Sequence, residues 1–502
     1  MSYIAIDTYD ADETDPVLKK IEEHETSVKR LIIYGSIIVS PALLGGMGLS
    51  YSAIALPQMQ LSISDASWFG SMFNFGSPIG SILTGLIIDK FGRRPSIMIS
   101  VIPSVLGWLL LLLDFQRTIT FSGRILTGVN SGCMYISQVY AAECIVVNHP
   151  HWRNSLNVWQ GIALSLGMIL TYALGCLLPY RYVAAAAAVF SFLLLLINYL
   201  YIPESPQWLY HKGLIKEAKR SEKLLGIHQP ILKDIDSIET PSCSSKTSHF
   251  ITVIRKLMRK DVYKPLLVMT MLYTMIMFSG APAFTAYMVD IITVGSETSQ
   301  PAQEVMPSTR QFPFLRHYIH YFAPTTNDPD YELGLISSIL GLIAVFLVSV
   351  VVPYGGIKKV YYFSSVGMSV CLCLLSVSLF HFDNQSMQNV LNVLHVISVW
   401  CASFFISFGV ATIPTSILGE LFPHSAKGFA CIPSIVFCMC SGIAVKIHPY
   451  LLLYCGGVLY VYYAILLLAS TVFFALFVPE TVGKSLDEIG HFFSGSNGFI
   501  QM

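Results

Sequence analysis

Twelve stretches of about twenty apolar residues each dominate the chain, at roughly 31–56, 67–88, 95–113, 119–145, 156–178, 183–202, 265–292, 333–353, 360–381, 389–418, 429–448 and 451–478. At ~1.5 Å rise per residue, each is long enough to cross a hydrocarbon core of ~30 Å. A backbone in lipid must satisfy its own hydrogen bonds, and these stretches are too long and too uniformly apolar for barrel strands. They are predicted to be helices. A composition that is 54% hydrophobic and 12% charged, with a mean hydropathy of +0.62, agrees.

Orientation follows from where the basic residues fall. With both termini on the inner side, 24 of the 30 lysines and arginines lie in inner segments; only Arg117, Arg124, Arg181, Arg310, Arg316 and Lys446 do not. The first thirty residues are polar, with DADETD at 10–15, and lack the basic start and apolar core of a cleaved signal. The sequence therefore predicts a multi-pass protein of the cell membrane with both termini in the cytosol. Ten of the eleven cysteines lie in or beside apolar spans and Cys243 in an inner segment, a pattern read as buried free thiols rather than a disulfide framework. Cys371 and Cys373 have no nearby metal-ligand partner, so no metal or other cofactor is expected.

The longest inner interruption divides the spans six and six. It separates an inner tail (1–30) and a first bundle (31–202) from a second bundle (265–478) and a tail (479–502), with a linker of short helices at 203–264 and a long outer loop at 293–332. Punctuation recurs across this divide. YIPESPQWL ends span six and FVPETVGKSL ends span twelve, with Pro203 and Pro479 276 residues apart; Glu143 and Glu420 are 277 apart. A near-constant offset is the trace of a duplicated six-helix unit.

GLIIDKFGRR, residues 85–94, places Asp89, Lys90, Arg93 and Arg94 between spans two and three, and YGGIKK at 354–359 echoes it between spans eight and nine. Gly85 is one turn before Asp89 and is expected to let a neighbouring helix approach. Asp89 ends a helix whose carboxyl end is already negative, so a cation such as Arg93 is expected against it. Gly92 is expected to allow the tight turn that follows. The second copy has Pro353 and Ile357 where the first has Asp89 and Arg93, so charge pairing is expected mainly in the first half.

GLIIDKFGRR resembles the G-x-x-x-D-[RK]-x-G-R-R signature of the major facilitator superfamily. PESPQWL, PETVGKSLDEI, GRILTGVNSG and ELFPHSAKG resemble marks of its sugar porter family, most like the facilitated trehalose transporter subgroup. The resemblance covers about residues 30–490 and implies an all-α polytopic fold of twelve transmembrane helices in two pseudo-symmetric six-helix bundles. It also implies a gate in which Asp89, Arg93, Glu143, Arg153, Glu420 and Lys427 pair across helix ends, with Glu204 and Glu480 on short inner helices packed against them.

Departures gather where substrate is bound in that family. The amide positions of span seven hold Ile276, Met277 and Pro282 in IMFSGAPAFTAY, and GVATIPT in span ten has Thr415 where an aromatic usually stands. Cys438 and Met439 fill two further positions in span eleven. Glycines and prolines cluster in spans one (Pro41, Gly45, Gly46, Gly48), four (Gly128, Gly132), seven (Gly280, Pro282) and ten (Gly409, Pro414), and breaks at corresponding positions point to a central site. The candidate substrate-binding residues are Gln160, Ser279, Thr285, Tyr287 and Thr415, with Asn130 and Gln138 as further polar groups on that face. His395 reads as a packed core histidine, and Asp290 as an interface residue. Arg124, a cation inside a span, requires a partner or a function.

No phosphate-cradling glycine loop or other enzyme signature is present. The expected function is facilitative uniport of a sugar such as trehalose or a hexose by alternating access. The partners are the solute and the bilayer, with no nucleic acid and no obligate protein partner. The competing readings are a carrier of a less hydroxylated solute, or a non-transporting nutrient sensor that keeps the fold. Span one contains no Asp or Glu, which argues against proton coupling there.

Overall fold

The computed structural model describes residues 16–59, 61–134, 136–137, 139–140, 153–225, 257–297, 331–379, 385–421, 431–481 and 492–493. Every regular element among them is helical. Spans one to six are the helices Pro16–Gln58, Ile63–Phe91, Arg93–Leu113, Arg117–Gly132, Arg153–Leu177 and Tyr180–Tyr201. Span seven is broken into Lys260–Phe278, Ala281–Ala286 and Met288–Glu297; spans eight and nine are Tyr331–Gly355 and Ile357–Ser378. Span ten runs Gln385–Phe405, a π-turn at Ile406–Val410, then Thr412–Leu421; spans eleven and twelve are Cys431–Cys455 and Val458–Phe477. Ten of these helices are long and apolar enough to cross a membrane by themselves. The described helix of span four is 16 residues long and span seven is broken after Phe278, so neither is long enough alone.

Helix packing repeats between the halves. Span one packs on five, two on four, and three on both four and six; correspondingly, seven packs on eleven, eight on ten, and nine on both ten and twelve. The lobes meet along two seams, span two against eleven and span five against eight, which exchange under the repeat.

Close helix approach is bought with glycine, though not at Gly85, which has nothing within 4 Å of where a Cβ would stand. The contact expected there lies earlier in span two. A Cβ on Gly76 or Gly80 would sit 2.2 or 2.0 Å from a carbonyl oxygen of span four, and Cβ atoms on Gly128 and Gly132 would meet span two as closely. In span one a Cβ on Gly46 would stand 1.9 Å from the Leu164 carbonyl oxygen of span five, and Cβ atoms on Gly45 and Gly48 would meet the side chains of Met134 and Phe73. Span one is therefore one continuous helix through Pro41, and the break expected in it is absent.

Arg124 is fully buried. Its guanidinium donates to the Gly48 carbonyl at 2.7 Å, the Ser52 hydroxyl at 2.6 Å and the Phe69 carbonyl at 3.4 Å, and lies 5.0 Å from the Phe69 ring centre. It therefore joins spans one, two and four, with a ring face and backbone dipoles around the charge. His395 has both ring nitrogens engaged, with Ser378 Oγ at 2.9 Å and the Ile291 carbonyl at 2.7 Å. All eight described cysteines are free, but Cys176, Cys373, Cys401 and Cys455 are exposed on the helix surfaces, so the expectation of burial holds only for some.

Candidate functional site

At the end of the bundle rich in basic residues, Gly92 has φ +96° and Gly356 has φ +77°, left-handed backbone that lets the chain reverse between consecutive spans. Each reversal is capped from a distance. Glu204 accepts from the backbone N–H groups of Arg93 (2.7 Å), Arg94 (3.2 Å) and Ser205 (2.9 Å). Glu480 accepts from those of Ile357 (2.9 Å) and Lys358 (3.2 Å). A carboxylate on free N–H groups at a helix amino terminus is favoured by both charge-assisted bonding and the dipole. Because the donors are backbone groups, the second clamp survives where Arg93 is replaced by Ile357. Burial nonetheless pushes the Glu204 carboxyl above the usual carboxylate range, against the lowering effect of these N–H groups and the Arg93 charge.

The Arg93 guanidinium donates to the Ile88 carbonyl at 3.3 Å, in the last turn of span two. The side chains of Asp89, Arg153 and Glu420, and the whole of Glu143, Gln138, Lys427 and Asn384, lie outside the described residues.

At the opposite end an amide helps to fasten the lobes. Gln58, closing span one, donates through Nε2 to Tyr331 Oη at 2.8 Å and accepts through Oε1 from the Tyr180 N–H at 3.0 Å. Tyr331, which opens span eight, also donates to the Ile54 carbonyl at 3.3 Å.

Between the two ends, spans five, seven, eight and ten enclose a small cavity. Gly280, at φ +85°, breaks span seven there; a Cβ would stand 2.4 Å from the Tyr463 ring, so the position accepts only glycine. The following segment presents Phe284, Thr285 and Met288, while span eight contributes Ser337 and Ser338 and span ten Ser403 and Ser407. Ser337, Ser338 and Ser403 donate to carbonyls one turn back in their own helices, at 3.0–3.1 Å, which leaves oxygen lone pairs for a ligand. Its volume is about 40 Å³, room for a single water, so a sugar requires the lobes to part.

Of the five candidate binding residues, only Thr285 lines this cavity. Tyr287 is fully buried, donating to the Val445 carbonyl at 3.2 Å and stacked on His448 with ring centres 5.6 Å apart. Ser279 is buried and donates to the Ile276 carbonyl at 2.7 Å. Thr415 is exposed and donates to the Ala411 and Thr412 carbonyls. Gln160, whose buried Oε1 has no hydrogen-bond partner, lies about two turns from Met168 toward the basic end. Asn130 donates to the Pro41 carbonyl at 3.4 Å inside the first lobe. The lining serines were missed among many span serines; the signal was the Gly334–Ser338–Gly341 spacing, which sets small residues on one helix face.

The family model for "Sugar (and other) transporter" matches residues 18–300 and 319–493. The chain belongs to this family. The transporter is 28% identical over 440 residues to "Sugar transporter ERD6-like 6" of Arabidopsis thaliana, covering 86% of this chain and 83% of that one. It is 27% identical over 469 residues to the "Facilitated trehalose transporter Tret1" of Apis mellifera ligustica, covering 90% and 86%. Its fold matches that of the proton:xylose symporter XylE bound to 6-bromo-6-deoxy-D-glucose, with a TM-score of 0.67 at 18% identity over 92% of this chain and 99% of the other. A partially occluded inward-open structure of XylE from E. coli matches with a TM-score of 0.66, at 18% identity over 91% and 100%. The transporter therefore has the major facilitator fold, and its family is one of carriers rather than enzymes.

Proposed function

We propose that the transporter is a facilitative carrier of a small sugar, a hexose or trehalose, in the cell membrane. Its basic end and both termini face the cytosol, and the lobes rock about the cavity between spans five, seven, eight and ten. The observation that carries this reading is the hydroxyl lining of Thr285, Ser337, Ser338, Ser403 and Ser407 at the junction of the lobes. Joined spans one and eight at the opposite end support an inward-facing state. The clamps at Glu204 and Glu480 would hold helix ends within each lobe while the lobes move. Uniport is supported by the lining, which contains no acid, and by a first span without Asp or Glu.

A solute with fewer hydroxyls is the second reading, favoured because the lining offers hydroxyls but no amide. The test is uptake of a labelled panel, including glucose, trehalose and less hydroxylated solutes, into oocytes expressing the protein. Saturable sugar entry that is unaffected by a proton ionophore and weakened by Thr285→Val and Ser338→Ala is the expected result. Uptake of a non-sugar alone selects the second reading, binding without uptake selects a sensor, and ionophore-sensitive accumulation overturns uniport.

A further inference from the structure

A second cavity lies outside the central path. It opens at the end opposite the basic one, within the first lobe, and measures about 290 Å³. Gln58, Asp114, Phe115, Gln116, Arg117 and Tyr180 supply most of its chemistry. Asp114 is held in its wall by Thr120 Oγ1 (2.7 Å), Tyr180 Oη (2.6 Å) and Arg181 (3.2 Å), and Arg117 is paired with Asp65 at 2.6 Å. Both charges are thus spoken for, and the cavity offers a neutral set of amides and ring faces. Such a lining suits a neutral ring whose hydroxyls bond amide groups while its C–H face lies on an aromatic. The volume is at the bottom of the ~300–1,000 Å³ range of small-molecule sites, which admits one sugar ring and not two.

We propose that this cavity is a second binding site, for a neutral polyhydroxylated molecule of one ring, separate from the transport path. The proposal takes its side of the membrane and its choice of probe from the sugar reading above. Gln58 lines the cavity and also fastens Tyr331, and its amide retains one N–H and one oxygen lone pair beyond the bonds to Tyr331 and Tyr180. A ligand using them holds the amide in the orientation that keeps the lobes joined. External sugar at this site therefore slows the return of the carrier to its outward-open state.

Equilibrium binding of labelled D-glucose to the full chain in nanodiscs tests this, with two double variants. Phe115→Ala with Gln116→Ala alters the second cavity; Thr285→Val with Ser338→Ala alters the central one. Two glucose sites are expected in the unaltered protein and one in each variant, with the missing site weakened roughly tenfold or more. Trehalose, with two rings, should leave the second glucose site occupied. In cells, high external glucose should slow tracer uptake non-competitively in the unaltered protein and only competitively in the Phe115–Gln116 variant. A single glucose site lost only in the Thr285–Ser338 variant overturns the proposal and leaves the transport reading standing. A single site lost only in the Phe115–Gln116 variant does the reverse, and no saturable binding rejects glucose at both.

Discussion

Glu204 reaches back along the chain to accept the backbone N–H of Arg93 at 2.7 Å, closing the amino end of span three with a carboxylate from beyond span six. A Cβ on Gly92 would lie 2.5 Å from the Oε2 atom of Glu204, so the turn and its cap occupy a space that only a glycine leaves open. The equivalent pair, Gly356 and Glu480, has 3.0 Å of room.

Gly92→Ala should therefore destabilise the protein by about 2 kcal/mol, combining left-handed strain of ~1–2 kcal/mol with displacement of the carboxylate. Gly85→Ala, in open space within a helix, should be neutral or raise stability by up to ~1 kcal/mol. Thermal unfolding of the two purified variants measures the contrast, and equal losses would contradict it.

Glu204 also gives a pH signature. Its folded-state carboxyl is raised above the ordinary range by burial, so its contribution is fully present below the ordinary glutamate pKa and is lost as pH rises through the raised value. The melting temperature of the unaltered protein minus that of Glu204→Gln should fall as pH is raised from the acid range toward neutrality. A difference that grows with pH would show that the N–H donors outweigh burial.

Gln58→Ala removes one hydrogen bond between the lobes, to Tyr331, and one within the first lobe, from the Tyr180 N–H. Only the Tyr331 bond crosses between the lobes, so at ~1 kcal/mol per bond the joined state loses about 1 kcal/mol relative to the open one, a shift of roughly fivefold toward opening at that end. Labelling of Ser338→Cys, in a background without reactive native thiols, should accelerate from the external side. Unchanged labelling would place the fastening elsewhere.

Arg124→Lys keeps a cation in the core but cannot reach the Gly48 carbonyl, the Ser52 hydroxyl and the Phe69 carbonyl together, as the guanidinium does. A loss of about 3 kcal/mol is expected, with poor accumulation in the membrane. Normal expression and melting temperature would mean that the charge is accommodated without this fork.

The spans, their number and the duplicated unit were legible because lipid imposes both length and apolarity on every crossing. The glycine turn at Gly92 was legible for a similar reason, since few other residues accept that backbone. Less visible were contacts that depend on geometry between distant groups. Glu204 was placed near helix ends by sequence, but its partners are backbone N–H groups, which leave no letter to read. Gln58 and Tyr331 are 273 positions apart, and nothing local to either announces the pair. Thr285 could be picked out beside a helix break, whereas Tyr287, two residues on, points its hydroxyl to Val445. Gly85 shows the reverse error: a spacing suited to close packing, with no helix there to pack.

Because each carboxylate clamp uses only residues of its own half, a duplication event would copy it whole. Its acceptor is a single acid and its donors are the same peptide groups in any sequence, so the later copy could exchange arginine for isoleucine without dismantling it. Gln58 and Tyr331 obey a different rule of inheritance. Their bond joins the copies, so it could be acquired or retuned in one half while the other stayed as it was. Ancestry would then be preserved in the clamps, and divergence among descendants should be sought at the fastening between lobes.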